Sequence, residues 1–148
     1  MTAGPGDSPG FLLWHATLRW QRDIAAALAP HDLTHVQFVL LATTWWLHGR
    51  GERPNQLRLA RAAGTDVKMT SQVVRRLEAK GLLTRVADEA DTRMKRPELT
   101  EAGAELTPRV VEVVEAVDRR FFAEAGDHAG LLRLLRGLAG TDDPPHRT

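Results

Sequence analysis

The chain has 148 residues, 43% of them hydrophobic, enough for one domain with a real core and too many for wholesale disorder. It has no cysteine, which excludes a disulfide framework, a thiol switch and a cysteine-based zinc site. The net charge of +1 conceals an asymmetry: residues 50–96 hold 12 Lys/Arg against 6 Asp/Glu, and the remainder 8 against 13. A basic middle between acidic flanks suits a face built to meet an anion, DNA phosphate being the usual one, or else a solvated charged surface.

Residues 1–9 are rich in Gly and Pro and read as a disordered lead, without the charged start and apolar run of a signal peptide. Phe11, Trp14, Leu18, Ala25 and Leu28 recur at helical spacing and predict a first helix ending near Pro30. Thr34 and Gln37 form a capping box that opens a second helix, with Val36, Val39, Leu40, Thr43 and Leu47 on its apolar face. His48-Gly49-Arg50-Gly51 closes it. Its apolar run is too short and broken to span a bilayer, so a soluble cytoplasmic protein is expected. Pro54 suits the first turn of a short third helix whose buried side is Leu57, Leu59, Ala60 and Ala63. After the Gly64-Thr65-Asp66 turn, Asp66 caps a fourth helix over Val67–Lys80, and Gly81 stops it.

Beyond Gly81 the period changes. Leu82–Val86 and Met94–Leu99 read as two strands joined by a polar tip, a β-hairpin. Thr100 caps a long fifth helix with the stripe Leu106, Val110, Val113, Val117 and Phe121, and Pro108 within it predicts a kink. Asp127 caps a sixth helix carrying Leu131, Leu134, Leu135 and Leu138, and residues 140–148 read as a disordered tail. The fold class expected is mainly α with a small β-hairpin wing: a winged helix-turn-helix over 34–99, and a helical dimerisation region from 10–33 and 100–139. The dimer is expected because the terminal helices carry more apolar stripe than so short a chain buries alone; a monomeric bundle is the other reading.

Helix, tight turn, helix and hairpin, spanning roughly Pro54 to Leu99, is the order of a DNA-reading element whose second helix enters the major groove. In the fourth helix Thr70, Val73, Val74 and Leu77 share one face; Lys68, Ser71, Gln72, Arg75 and Ala79 share the opposite one. Gln pairs with adenine and Arg or Lys with guanine, so Lys68, Ser71, Gln72 and Arg75 are the expected base readers. Thr70 and Arg76 are the expected phosphate contacts. The hairpin carries Arg93, Lys95 and Arg96, and a narrow minor groove attracts an inserted arginine. Asp91, two residues before Arg93, is placed to orient it. Each part alone also fits an ordinary amphipathic helix or a solvated hairpin.

The runs Leu33–Phe38, Leu57–Ala60, Leu77-Glu78-Ala79-Lys80-Gly81-Leu82, Asp91-Thr92-Arg93 and Leu99-Thr100-Glu101-Ala102-Gly103 resemble the MarR family of bacterial transcription regulators over residues 11–139. The resemblance implies a homodimer with the first, fifth and sixth helices intertwined, a palindromic double-stranded DNA operator, repression, and Arg93 as the minor-groove residue oriented by Asp91. It departs at Gln72, where many members carry Arg, at Pro97 in the second wing strand, and at Met94 and Lys95. The resemblance also implies a small aromatic or phenolic effector, in a pocket of His15, Arg19, Gln37 and Leu41 with a Trp wall; core packing is the other role for Trp14, Trp20, Trp45 and Trp46. A nucleoid-associated place follows from DNA binding.

No cofactor is expected and no catalytic motif is found. The six histidines show no zinc-helix spacing, although a zinc-responsive regulator of the same fold stays open, as do a dimeric adaptor without specific DNA binding and a small enzyme using its histidines.

Overall fold

The computed structural model describes residues 4–140. Six helices and one hairpin follow in chain order: α1 Pro9–Leu28, α2 His35–Gly49, α3 Gln56–Ala63, α4 Val67–Ala79, β1 Leu83–Ala87, β2 Lys95–Leu99, α5 Glu101–Phe121 and α6 His128–Ala139. The fold is mainly helical, with a two-stranded antiparallel wing.

Local chemistry explains the boundaries. Ser8, Asn55, Asp66, Thr100 and Asp127 each accept a backbone N–H in the first turn of the helix that follows, satisfying donors the helix cannot. The Thr34–Gln37 capping box is complete in both directions. Pro54 lies one residue before the Asn55 cap rather than in the first turn of α3. The lead through residue 9 differs from a structureless segment where it is described: Pro5–Asp7 forms a 3-10 turn and Pro9 opens α1. Residues 1–3 of that lead and 141–148 of the expected tail lie outside the described residues.

The core gathers Ile24 and Leu28 of α1, Phe38, Leu40 and Leu41 of α2, Leu59 of α3, Val73, Val74 and Leu77 of α4, Leu83 of β1, and Val110, Val114 and Val117 of α5. Fully burying one such side chain is worth about 1.5–3 kcal/mol, so this cluster sets the pose of α4. Leu57 is the exception in α3, exposed rather than on its buried side.

Two junctions hold the wing. Thr100 donates its hydroxyl to the Gly81 carbonyl at 2.6 Å and its N–H to the Leu82 carbonyl at 3.1 Å. Gly103, one turn into α5, is buried against that same Leu82 carbonyl oxygen, with which any β-carbon would collide. The motif Leu-Thr-x-x-Gly is thus a cap plus a close approach. α5 continues through Pro108 as one element, and the carbonyl that loses its partner there belongs to exposed Ala104.

Strand pairing sets Arg85 opposite Pro97. Asp88 N–H donates to the Met94 carbonyl and Thr100 N–H to the Leu82 carbonyl in the same register. Antiparallel pairs alternate between hydrogen-bonded and non-hydrogen-bonded, which places Arg85–Pro97 among the latter. Pro97 costs the hairpin no bond, because its nitrogen faces away from β1. Among the described residues no single helix is long and apolar enough to cross a membrane.

Candidate nucleic-acid interface

The turn between α3 and α4 is built tightly. Gly64, in the left-handed region at φ 72°, ends α3. The Asp66 carboxylate accepts from Met69 N–H at 2.7 Å and opens α4. With Val73, Val74 and Leu77 buried, the opposite side of α4 faces solvent: Lys68, Gln72, Arg75, Arg76 and Ala79 are exposed and Ser71 is half-buried. Arg75 donates to the Ser71 hydroxyl at 3.0 Å, which couples two of the expected base readers.

Thr70 corrects its expected role. It is wholly buried, donates its hydroxyl to the Asp66 carbonyl at 2.7 Å, and meets the Thr65 hydroxyl at 2.7 Å. It braces the turn, its hydroxyl turned inward rather than presented to solvent. Met69 was missed: 43% exposed, it lies in line with Gln72 and Arg76 at i, i+3 and i+7. That spacing is visible in the sequence, but a methionine there signals neither a polar reader nor a core position.

At the wing tip the Arg93 guanidinium makes two contacts with the Asp91 carboxylate, at 3.1 and 3.3 Å, and Arg93 N–H adds a third at 3.1 Å. The Arg93 side chain is 89% exposed. These bonds, the side-chain ones first, hold the Asp91 carboxyl below its usual range. Lys95 is exposed beside them.

Arg96 belongs elsewhere. Its side chain is 10% exposed and faces Glu98 at 3.1 Å, Glu89 at 3.7 Å and Asp88 at 3.9 Å. It is a brace inside the hairpin, so its placement among the DNA contacts is corrected. Arg85 is likewise engaged, with Glu78 of α4 at 2.7 Å, and that bond lowers the Glu78 carboxyl. The segment 83–99 carries four Lys/Arg and four Asp/Glu, so its recognition potential rests on Arg93 and Lys95 rather than on net charge.

The four residues of the expected pocket lie on α1 and α2. His15 and Arg19 are exposed on α1, Gln37 is buried in its capping box, and Leu41 is in the core. A cleft of about 340 Å³ opens between α1, α5 and α6, lined by Leu13, Thr17, Trp20, Asp118, Phe121 and Phe122. Trp20 Nε1 donates to the Asp118 carboxylate there at 2.8 Å, and the His35 ring meets Trp20 edge-on. Trp14 and Trp45 are exposed, so core packing does not explain them. Burial lowers the His35 and His48 imidazoles, opposed at His35 by Asp118 and reinforced at His48 by Arg53. Among the described residues no three His, Asp or Glu side chains converge as a metal needs.

This geometry agrees with known proteins. A family model described as ArnR1-like, winged-helix domain matches residues 30–117. The HTH-type transcriptional regulator YdcH of Bacillus subtilis is 46% identical over 136 residues, covering 92% of each chain. The HTH-type transcriptional repressor Rv2887 of Mycobacterium tuberculosis, whose solved structure is that of a MarR family protein, is 31% identical over 79% of this chain and 82% of its own length. CouR of Rhodococcus jostii RHA1, solved bound to p-coumaroyl-CoA, superposes with a TM-score of 0.80 at 25% identity, over 99% of both chains.

Proposed function

The chain belongs to the MarR family of winged helix-turn-helix transcription regulators, rather than to any enzyme family, and from that premise we propose that it is a homodimeric repressor on a palindromic operator, relieved by a small effector. The observation that carries the reading is the pairing of an exposed polar face on α4 with an arginine held outward at the wing tip. In this reading residues 34–99 bind double-stranded DNA; residues 10–33 and 100–139 dimerise. Lys68, Gln72 and the Ser71–Arg75 couple read base edges in the major groove. Met69 supplies an apolar surface for a thymine methyl group. Arg76 neutralises phosphate; Arg93, steered by Asp91, enters the minor groove with Lys95 beside it. A nucleoid-associated place in the cytoplasm follows.

The dimer is supported by apolar surface that no part of the described chain covers. Phe11, Leu12, Leu13, Trp14 and Leu18 are exposed on α1, and Leu134 and Leu138 on α6, which buries none of its residues. Two protomers would set two α4 helices about one DNA turn apart, ~34 Å. The cleft beside Trp20 is the effector site in this reading, with aromatic walls suited to an aromatic effector. Selecting bound duplexes from a random pool, then measuring anisotropy on the selected and a scrambled duplex, tests the proposal. A palindromic preference that falls steeply with salt is expected, since phosphate neutralisation releases counterions; equal binding to both duplexes would remove it.

A further inference from the structure

The Leu77–Leu82 run contains a lysine that the DNA-facing surface does not use. Lys80 is the residue on which α4 ends. Its Nζ donates to the backbone carbonyl of Asp32, and to Gln37 Oε1 at 2.9 Å, with the Asp32 carboxylate at 3.6 Å. All three are acceptors, and an ammonium has three donors.

Both partners are also held by contacts that do not involve Lys80. Asp32 sits in the turn between α1 and α2 in the left-handed region, at φ 53°, the one non-glycine residue at positive φ among the described residues. Gln37 is buried, and the same Oε1 accepts the Thr34 N–H at 3.2 Å in the capping box. The Asp32 carboxylate is 95% exposed, and an ion pair with so solvated a partner contributes little. The grip is therefore the carbonyl and the amide, hydrogen bonds to a charged donor. On the other side of the same helix end, Glu78 is tied to Arg85 of β1.

We propose that Lys80 is a positioning residue: it locks the C-terminal end of α4 to the α1–α2 turn, and so fixes the reading helix relative to the helix expected to set half-site spacing. This rests on the DNA-binding reading above. Lys80 touches no DNA in it. Its effect on affinity comes from holding α4 in the pose that two half-sites require, which is preorganisation.

The test compares wild type with Lys80→Met, Lys80→Arg and Asp32→Gly on the selected operator duplex. Affinity is read by anisotropy over a salt series, the active fraction by stoichiometric titration, and folding by thermal melting. Lys80→Met is expected to weaken binding about tenfold, the size of one lost preorganising contact. The slope of log affinity against log salt and the active fraction stay as in wild type. Lys80→Arg recovers most of the loss, and Asp32→Gly, which keeps the carbonyl, binds as wild type does. A slope reduced by about one would make Lys80 a phosphate contact and overturn the proposal. Unchanged affinity in Lys80→Met would overturn it too. If that variant does not fold, Lys80→Gln repeats the measurement, and failure of both to fold would make Lys80 a stability residue and end the claim. Wild-type binding without salt dependence would instead fail the DNA-binding reading itself.

Discussion

Single residues on α4 separate recognition from support. Arg75, coupled to Ser71, and Arg76, exposed and free of any described partner bond, are neighbours with different expected roles. Arg75→Ala should weaken binding to the selected operator more than to scrambled DNA, by about 1–3 kcal/mol. Arg76→Ala should weaken both alike and reduce the salt slope by about one; anisotropy on the two duplexes reads both outcomes. Gly103 gives a test of opposite sign to habit. Gly→Ala within a helix ordinarily stabilises by about 1 kcal/mol. Here the added carbon meets the Leu82 carbonyl, a backbone atom that cannot swing aside. Overpacking costs about 1–3 kcal/mol, so Gly103→Ala should lower the midpoint of urea unfolding. The identities of these residues were legible in sequence, because periodicity sorted Val73, Val74 and Leu77 inward and the polar residues outward. The inward place of Thr70 was legible too, its phosphate role aside; the exposure of Leu57 was not. Small or apolar side chains near a turn take their burial from the neighbouring helix, which spacing alone does not describe.

At the scale of elements, the wing divides its cations. Arg96 faces three carboxylates inside the hairpin, whereas Arg93 projects into solvent. Arg96→Met should leave Asp88 and Glu98 facing each other without a cation and cost about 2 kcal/mol in thermal unfolding, the range for a lost charged hydrogen bond. Arg93→Ala should change stability by less than about 0.5 kcal/mol, as exposed pairs do, yet weaken operator binding. The reverse pattern would exchange the two roles. Sequence reasoning saw three basic residues in a row of four and read all as DNA contacts. What it lacked was the register: Glu98 shares a strand face with Arg96 at i+2, but only the hairpin pairing brings residues 88 and 89 to it as well. The same register explains Pro97, whose position was recognisable as a problem but whose solution depends on which pairs carry hydrogen bonds. Cap residues were legible throughout, since capping is a local chemistry of three or four positions.

For the whole molecule, pH acts through two histidines. The folded chain holds His35 and His48 with lowered pKa, chiefly by burial. Unfolded imidazoles titrate near about 6.5, so below about pH 7 the unfolded chain binds more protons than the folded one. Stability should therefore fall as pH drops from about 7.5 to 5, and His35→Phe, keeping the ring against Trp20, should flatten the melting temperature against pH. The proposed dimer belongs to this scale as well; its motive, surplus apolar residues on the terminal helices, was legible in the sequence, and they are exposed on α1 and α6. The cleft beside Trp20 was not legible, because its walls come from α1, α5 and α6 together. One consequence is optical. The chain has four tryptophans and no tyrosine, so its near-ultraviolet emission is tryptophan alone. Trp20 is held by Asp118, and the Arg50 guanidinium lies over Trp46, whereas Trp14 stands 63% exposed on the face assigned to a second copy. Dilution that separates two copies should therefore move the emission to longer wavelength, and Trp14→Phe should abolish most of that shift, so the protein carries its own gauge of assembly.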